Sequence, residues 1–467
     1  MSDTLQYLTR RQFSLASLGA LASLSRLAGA EGGDGMPWGG PALVRKVYLA
    51  SQKPSWPRPD IDLQAEIAEI EASLALVEKR NPGAMRFTGG ELLREGADIS
   101  AWIQGAGDAD VVLAFNLTSG LGAILQKIQE PRRPVLLFSR PFAGHSWSNF
   151  AGFAQKGGKA DVIASSEFSD LDEYVPLFRS IHVMRNSKVL LVAPPTRGRG
   201  GAPYTEQFGT SFGYPDYADL KAAFQAVDAG KARAAAAEFA RAAAKVVEPS
   251  PEEITASLRL YLGMKEFLEK EKANAIAIDC LGGFNRGDLP AYPCVGFAKL
   301  NDAGLYGVCE CDLNSTMTQI LVTSFSGKPG FVSDPVFDTS RNEVIHAHCV
   351  AATRMDGIGG APSPYIVRSH LEDNKGVSLQ VLMPSSGTVT VARFQGASSF
   401  LLSTGEVLGN VDSPRGCRSK IRTRVASARK FLENYGPGLH RVVFYGDHTL
   451  AIHRLSRLNG FKVVQEV

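Results

Sequence analysis

Cysteine is scarce in this sequence and comes late: there are six, all at or after Cys280. Low usage without regular spacing excludes a disulfide scaffold. Long hydrophobic runs are also missing. None reaches the roughly 20 residues a membrane-spanning helix needs, so no stable membrane anchor is expected. Charge of one sign is not in excess: 50 Lys and Arg stand against 47 Asp and Glu, for a net charge of +3. That lacks the basic surplus of a dedicated nucleic-acid binder, and no nucleic-acid partner is expected. No internal repeat is present, which removes solenoids and arrays.

What is there reads as an ordinary globular chain. At 467 residues it is too long for one core and implies two or three domains. Apolar content of 44% and charged content of 21% are those of soluble proteins.

The N-terminus carries Thr9-Arg10-Arg11-Gln12-Phe13, a mildly apolar run from Ser14 to Leu24, Arg26, and then Ala28-Gly29-Ala30. This is the pattern of a twin-arginine (Tat) export signal, with a basic region, a short apolar region and a small-residue cleavage site. The expectation is cleavage after about Ala30 and a periplasmic or secreted protein.

Residues 31–42 are Gly-rich and read as a linker. A βα rhythm follows. Val44–Ala50, Asp110–Leu117, Val135–Ser139 and Asp161–Ala164 are strand-like, and Ile61–Lys79 and Gly120–Ile128 are helix-like. Strands alternating with helices imply a mostly parallel sheet, here over 43–169. A second such unit covers 170–337. It has a helix at Leu171–Arg185, strands at Lys188–Ala193 and Ala275–Leu281, and an Ala-rich helical run from Asp219 to Val247. Pro251-Glu252-Glu253 starts another helix well. The loop Thr196–Gly201 is a possible anion contact. From 338 to 467 strands dominate, among them Val377–Met383, Val389–Phe394, Ser398–Ser403 and Arg441–Tyr445, which predicts an antiparallel sheet or barrel. The fold class expected is therefore α/β: two Rossmann-like parallel-sheet domains, then a β-rich antiparallel C-terminal domain.

The chemistry concentrates between Leu305 and Cys349. Gly307-Val308-Cys309-Glu310-Cys311-Asp312 reads as a strand ending in a turn, followed by a helix that Asp312 or Asn314 can cap. A carboxylate at the carboxyl end of a strand, just before a helix, sits where open α/β sheets bind ligands. Asp334 repeats the arrangement before Pro335, a residue expected to stop the ladder. A glutamate on an apolar strand is costly unless paired or bound to metal, which marks Glu310. Of the alternating His346 and His348, His348 is the candidate and His346 the core histidine. Asp447-His448 places a second candidate imidazole between a strand and a helix start, with Asp447 able to orient it. His440, His453 and His182 read as structural or exposed. His145 follows a strand end and can line a sugar site. Cys309, Cys311 and Cys349 lack a second well-spaced pair and make a poor zinc match. Oxygen ligands with one or two imidazoles suit Mn2+, Mg2+ or Co2+.

The run Cys309-Glu310-Cys311-Asp312-Leu313-Asn314, then Ser326-Gly327-Lys328-Pro329-Gly330-Phe331, Asp334-Pro335 and His348-Cys349, resembles the L-fucose isomerase and L-arabinose isomerase superfamily. Arg368-Ser369-His370, Gly416-Cys417-Arg418 and Gly446-Asp447-His448 are similar to its C-terminal elements. The resemblance implies a Mn2+-dependent aldose–ketose isomerase that forms an enediol. It implies Glu310 and Asp334 as metal ligands that also move protons, His448 as the late histidine ligand, and His348 as a further one. His145, His370 and Arg418 would be substrate contacts, and the assembly a homo-oligomer, a trimer or hexamer. Two departures stand out: Cys311 replaces the usual glycine of Glu-Gly-Asp, and the chain carries an export signal. The alternatives are a metal-dependent sugar lyase, epimerase or hydrolase on the same scaffold, and a non-catalytic periplasmic sugar-binding protein. If export occurs as read, mass spectrometry of protein purified from the producing cell finds a new N-terminus near residue 31; a chain retaining Met1 contradicts it.

Overall fold

The computed structural model describes Met36, residues 38–195 and residues 200–467. The expected export signal lies outside the described residues, as do Thr196 to Arg199 of the candidate anion loop. No described helix is long and apolar enough to cross a membrane.

The first sheet is built from β1 (Ala42–Ala50), β2 (Met85–Arg94), β3 (Val111–Asn116), β4 (Val135–Ser139) and β5 (Ala160–Ala164). All pairings are parallel, in the order β2-β1-β3-β4-β5. β3 and β4 are buried at every position, as expected of continuous apolar runs covered by helices on both faces. The second sheet holds β6 (Lys188–Val192) and β7 (Ser211–Gly213). After the short β8 (Lys245–Val246), which pairs elsewhere, β9 (Ala275–Ile278) and β10 (Tyr306–Cys309) complete it. It too is parallel, in the order β10-β9-β6-β7.

The remaining strands are β11 (Phe331–Asp338), β12 (Glu343–His348), β13 (Tyr365–Arg368), β14 (Ser378–Val381), β15 (Thr388–Phe394), β16 (Ser399–Asn410), β17 (Ser419–Arg424), β18 (Arg441–Tyr445) and β19 (Lys462–Gln465). Antiparallel pairing runs β15-β18-β11-β12-β17-β16, and a further β15–β16 pairing closes it into a barrel. β19 adds to β16 in parallel, and β8, β13 and β14 form a small separate sheet. The α/β expectation and the antiparallel C-terminal region are both present.

Three local readings change. Pro335 does not end its strand: β11 pairs with β18 over Phe331–Ser333 and with β12 over Asp334–Asp338. The residue without an N–H donor sits where the ladder with β18 has already ended. Asp334 consequently belongs to the barrel, not to the second parallel sheet. The Ala-rich run is two helices, Tyr217–Ala226 and Ala229–Ala242, because Asp228 leaves helical geometry and caps the second through the Lys231 N–H. The strand expected over Ala275–Leu281 stops at Ile278, and Cys280–Arg286 is helical.

One fully buried ion pair locks the start of β18. Arg441 meets Glu466, both with no side-chain exposure, and donates also to the carbonyls of Gly436, Gly438 and His440. Removing one partner of such a pair strands the other charge away from water. Glu466→Ala is therefore expected to lower stability by about 3–5 kcal/mol, read as a lower denaturation midpoint, while surface carboxylates such as Glu406 tolerate the same change.

Candidate metal centre

β10 delivers Glu310 to the carboxyl edge of the second sheet. The strand ends at Cys309, and Glu310 and Cys311 then take left-handed backbone angles, φ 57° and 50°. Non-glycine residues avoid this region, and such strain gathers at functional sites. It is held here by backbone bonds: Cys311 N–H donates to Ile278 O at 2.9 Å and Asp312 N–H to Cys309 O at 3.2 Å. Asp312 then caps the helix Leu313–Ser326, accepting from the Ser315 N–H at 3.1 Å. That helix is buried almost throughout and packs against the helix Val175–Asn186.

Asp312 also reaches across to the barrel. Arg393 on β15 donates to both of its oxygens, and His440 Nδ1 lies 2.7 Å from Oδ2. Burial works against ionisation of Asp312, but His440 and Arg393 hold it well below the usual carboxylate range. An ionised carboxylate can only accept, so Nδ1 of His440 carries the proton. Its Nε2 then points at two other carboxylates, 3.4 Å from Asp334 Oδ1 and 3.6 Å from Glu310 Oε2. Neither His440 Nε2 nor Asp334 Oδ1 has a hydrogen-bond partner, although both atoms are buried.

Register explains the juxtaposition. Ser333 pairs with Arg441 between β11 and β18, so Asp334 and His440 are the next opposed pair along the ladder. Gly438 supports the turn before them: its φ is +90°, and a Cβ there would lie 2.8 Å from the Arg393 guanidinium.

His348, at the end of β12, closes the other side, with Nε2 3.9 Å from Glu310 Oε1 and 3.8 Å from Asp334 Oδ2. Its Nδ1 accepts the Cys349 N–H at 2.9 Å. The neutral ring therefore carries its proton on Nε2, facing the carboxylates. In their neutral forms the two imidazoles are set in opposite tautomers: His440, once its Nε2 proton is lost, offers a lone pair to the cluster, and His348 offers an N–H. The neighbouring imidazoles of His348 and His440 hold the Glu310 carboxyl well below its ordinary range. Cys309 Sγ is 3.4 Å from His348 Nε2, but burial pushes this thiol far up, so it stays protonated and is no thiolate ligand.

The structure thus brings together Glu310, Asp334 and His348, and adds His440. His448 is not brought to them. Its ring lies 3.1 Å from the Tyr445 carbonyl and edge-on to Phe325, and burial lowers its pKa to about 4. His448 is corrected from metal ligand to packing residue; the turn after β18 carries it away, and His440, before β18, occupies the place expected for it. His440 gives no local signal, since its orienting partner Asp312 is far away in sequence. His346 is a core histidine between Ser333 and Thr423, with burial lowering it to about 3.

The three expected substrate contacts lie outside the cavity at Glu310. His145 is an exposed residue beside Trp56 and Trp147 in the first unit. His370 packs on Tyr292 and Phe284, with Nδ1 3.6 Å from Asp373. Arg418 is tied to Ser369 through its carbonyl and hydroxyl oxygens. The cavity itself has a volume of about 470 Å3, and Glu310, His440, Arg393, Tyr204 and Asn314 contribute to its wall.

Oxygen and nitrogen ligands of a small divalent cation, each bound at about 2.0–2.2 Å, lie about 3 Å apart. Ligand atoms of Asp334, His348 and His440 lie within 4.8 Å of one another, as do those of Cys309, Glu310 and His348. The orphaned Asp334 Oδ1 and His440 Nε2 suit such an ion, with Glu310 Oε2 3.6 Å from His440 Nε2. Asp312–His440 supplies the carboxylate–imidazole support that metal-binding histidines use. Neither a protein-family model nor a curated protein matches the chain.

Two measurements probe the centre. Isothermal titration with Mn2+ is expected to show binding lost in His440→Ala, weakened about 10–100-fold in Asp312→Asn, and unchanged in His448→Ala. Without a cation, burial disfavours charge on His440, but Asp312 and Glu310 raise its pKa to about 9. A raised folded pKa contributes stability that is complete below the unfolded value, about 6.5, and is lost as pH rises through about 9. Cation-free protein should therefore lose thermal stability across that window. Mn2+ must displace this proton, so its apparent affinity should rise over the same window, by up to about tenfold per pH unit.

Proposed function

We propose that the protein is a divalent-cation-dependent aldose–ketose isomerase acting on a small sugar through an enediol. The observation that carries this reading is the convergence of Glu310, Asp334, His348 and His440 beside a cavity of sugar-accommodating size. Two carboxylates, one supported imidazole and no thiolate suit Mn2+, with Mg2+ or Co2+ as substitutes. The strand order β2-β1-β3-β4-β5 supports a doubly wound, Rossmann-like first domain. The resemblance to the fucose and arabinose isomerases shares Glu310, Asp334 and His348 with this site, but implied His448 where His440 stands. The twin-arginine pattern at the N-terminus supports a reaction outside the cytoplasm, and the resemblance supports a trimeric or hexameric assembly.

The cation, when bound, holds two oxygens of an α-hydroxy carbonyl and eases the negative charge that gathers on them. The chain's own groups move the protons. Glu310 faces the cavity, and its carboxylate stays ionised beside the two imidazoles. It takes the proton from the carbon next to the carbonyl and returns it to the neighbouring carbon, with Asp334 as the second carboxylate able to take part in that transfer. His348 keeps an N–H directed at Glu310 and Asp334, which orients both oxygens and can exchange protons with them. Arg393 and Asp312 keep His440 from turning away. Tyr204 Oη, 2.6 Å from Asn314 Oδ1, narrows the cavity opposite.

Incubation of Mn2+-loaded protein with an aldose panel in D2O, read by NMR, should give a ketose product and deuterium at C2 for the true substrate. Glu310→Gln should reduce turnover by about 10²–10⁴-fold with the circular-dichroism spectrum unchanged. Full activity in Glu310→Gln overturns the assignment. Cleaved or epimerised products would move it to lyase, hydrolase or epimerase chemistry at the same centre. Sugar binding indifferent to a chelator would indicate a non-catalytic binding protein.

A further inference from the structure

A second cavity, of about 520 Å3, shares no lining residue with the one at Glu310. It opens at the amino-terminal ends of β4 and β5, the opposite edge of the first sheet from the one where α/β folds usually hold ligands. Its wall is strongly cationic. Arg132, Arg133, Lys159 and Arg185 line it, against only Asp110 and Glu206. Asp110 is already engaged, 3.3 Å from Arg185 and 2.8 Å from His182. Glu206 is exposed. Among the described residues no carboxylate lies within ion-pair distance of Arg132, Arg133 or Lys159.

These cations are held by the backbone instead. Arg133 donates to the Gly107 carbonyl and Lys159 Nζ to the Gln207 carbonyl at 2.6 Å, while Arg133 Nε is buried without a partner. The segment Pro131-Arg132-Arg133-Pro134 is stiffened by a proline at each end, and Arg132 takes a left-handed φ of 55°. Such strain on a non-glycine residue beside a cavity is what a binding loop shows. Burial lowers the pKa of both Arg133 and Lys159, and the neighbouring guanidinium groups lower them further. Like charges gathered in a half-buried hollow repel one another, and an anion relieves that repulsion.

We propose that this cavity binds a phosphoryl dianion, carried as free phosphate or as a small phosphate monoester, between Arg132, Arg133 and Lys159. Arginine forks and a lysine ammonium are the donors that phosphoryl oxygens take. The volume leaves space beyond the phosphoryl group for an organic remainder. The site also bears on the catalytic one, because the helix Ala202–Phe208 walls both: Pro203 and Tyr204 face the cavity at Glu310, and Thr205 to Phe208 face this one.

The test uses the full-length protein treated with EDTA, so that the cation centre takes no part. Isothermal titration is run at matched ionic strength with inorganic phosphate, glucose 6-phosphate, glucose, and chloride. Saturable binding of phosphate or glucose 6-phosphate is expected, with none for glucose or chloride. A tenfold preference for glucose 6-phosphate would identify the monoester as the ligand, and parity would identify free phosphate. Lys159→Met and Arg133→Gln should each weaken binding at least tenfold. Should either fail to fold, Arg132→Gln, at an exposed position, is expected to weaken binding several-fold at unchanged melting temperature. Glu310→Gln should bind as the parent does, which separates this site from the isomerase centre. No binding above the chloride control, or equal binding by the folded variants, overturns the proposal.

Discussion

The carboxylate of Asp312 is the constraint on which the centre depends. It caps a buried helix of the second α/β unit, where the aligned peptide dipoles favour a negative charge. The same two oxygens take the Arg393 guanidinium from β15 and the His440 imidazole from the loop before β18. One side chain thus ties a parallel sheet to a barrel and sets the tautomer of the histidine. A neutral residue in its place would leave Arg393 buried without its counter-charge and free the His440 ring to present either nitrogen. Arg441–Glu466 acts alongside it, holding the His440 carbonyl while Asp312 holds the His440 ring.

Around this clamp the centre is assembled from two independent directions. Glu310 comes from the second sheet through a strained turn. Asp334, His348 and His440 come from three neighbouring strands or strand ends of the barrel. The left-handed angles at Glu310 and Cys311 cost about 1–3 kcal/mol each, and the backbone bonds to Ile278 and Cys309 and the Glu310 N–H bond to Cys280 Sγ help hold that conformation. A strand continued past Cys309 in regular geometry would alternate Glu310 and Asp312 onto one face. The turn instead sends Asp312 to the helix cap and Glu310 toward the cleft. Glycine, which adopts such angles without penalty, is the residue the resemblance expects at 311; Cys311 shows that the geometry is kept even where the side chain opposes it.

Much of this was legible beforehand, and for identifiable reasons. Continuous apolar runs such as Val111–Asn116 and Val135–Ser139 can only be buried strands, and the alternation of such runs with helical periods announces a parallel sheet. Asp312 as a cap, and Glu310 and Asp334 as paired carboxylates, follow from local spacing. β2 was not legible, because Gly89 and Gly90 interrupt its pattern at a register shift opposite Lys46 and Val47. Nor was barrel closure, which depends on the pairing of β15 with β16 and leaves no mark on either strand alone. His440 was missed for the same kind of reason. The Asp447-His448 pair carries its carboxylate next door and draws the eye, whereas the carboxylate that orients His440 stands 128 positions away. Local adjacency favoured a histidine that lies apart from Glu310 and Asp334; the ladder register between β11 and β18 brings His440 to them instead.

The opposed tautomers of His348 and His440 give the centre its chemical asymmetry. Were both imidazoles to offer lone pairs, Glu310 and Asp334 would face two acceptors, and only a cation could hold the four groups together. Were both to offer N–H groups, the carboxylates would be satisfied without one. With one of each, His348 faces both carboxylates and helps keep Glu310 ionised. His440 alone meets them with a nitrogen that needs either a proton or a metal between. Were a cation bound, its competition with the proton would be confined to a single atom, His440 Nε2, by the backbone N–H of Cys349 and the carboxylate of Asp312.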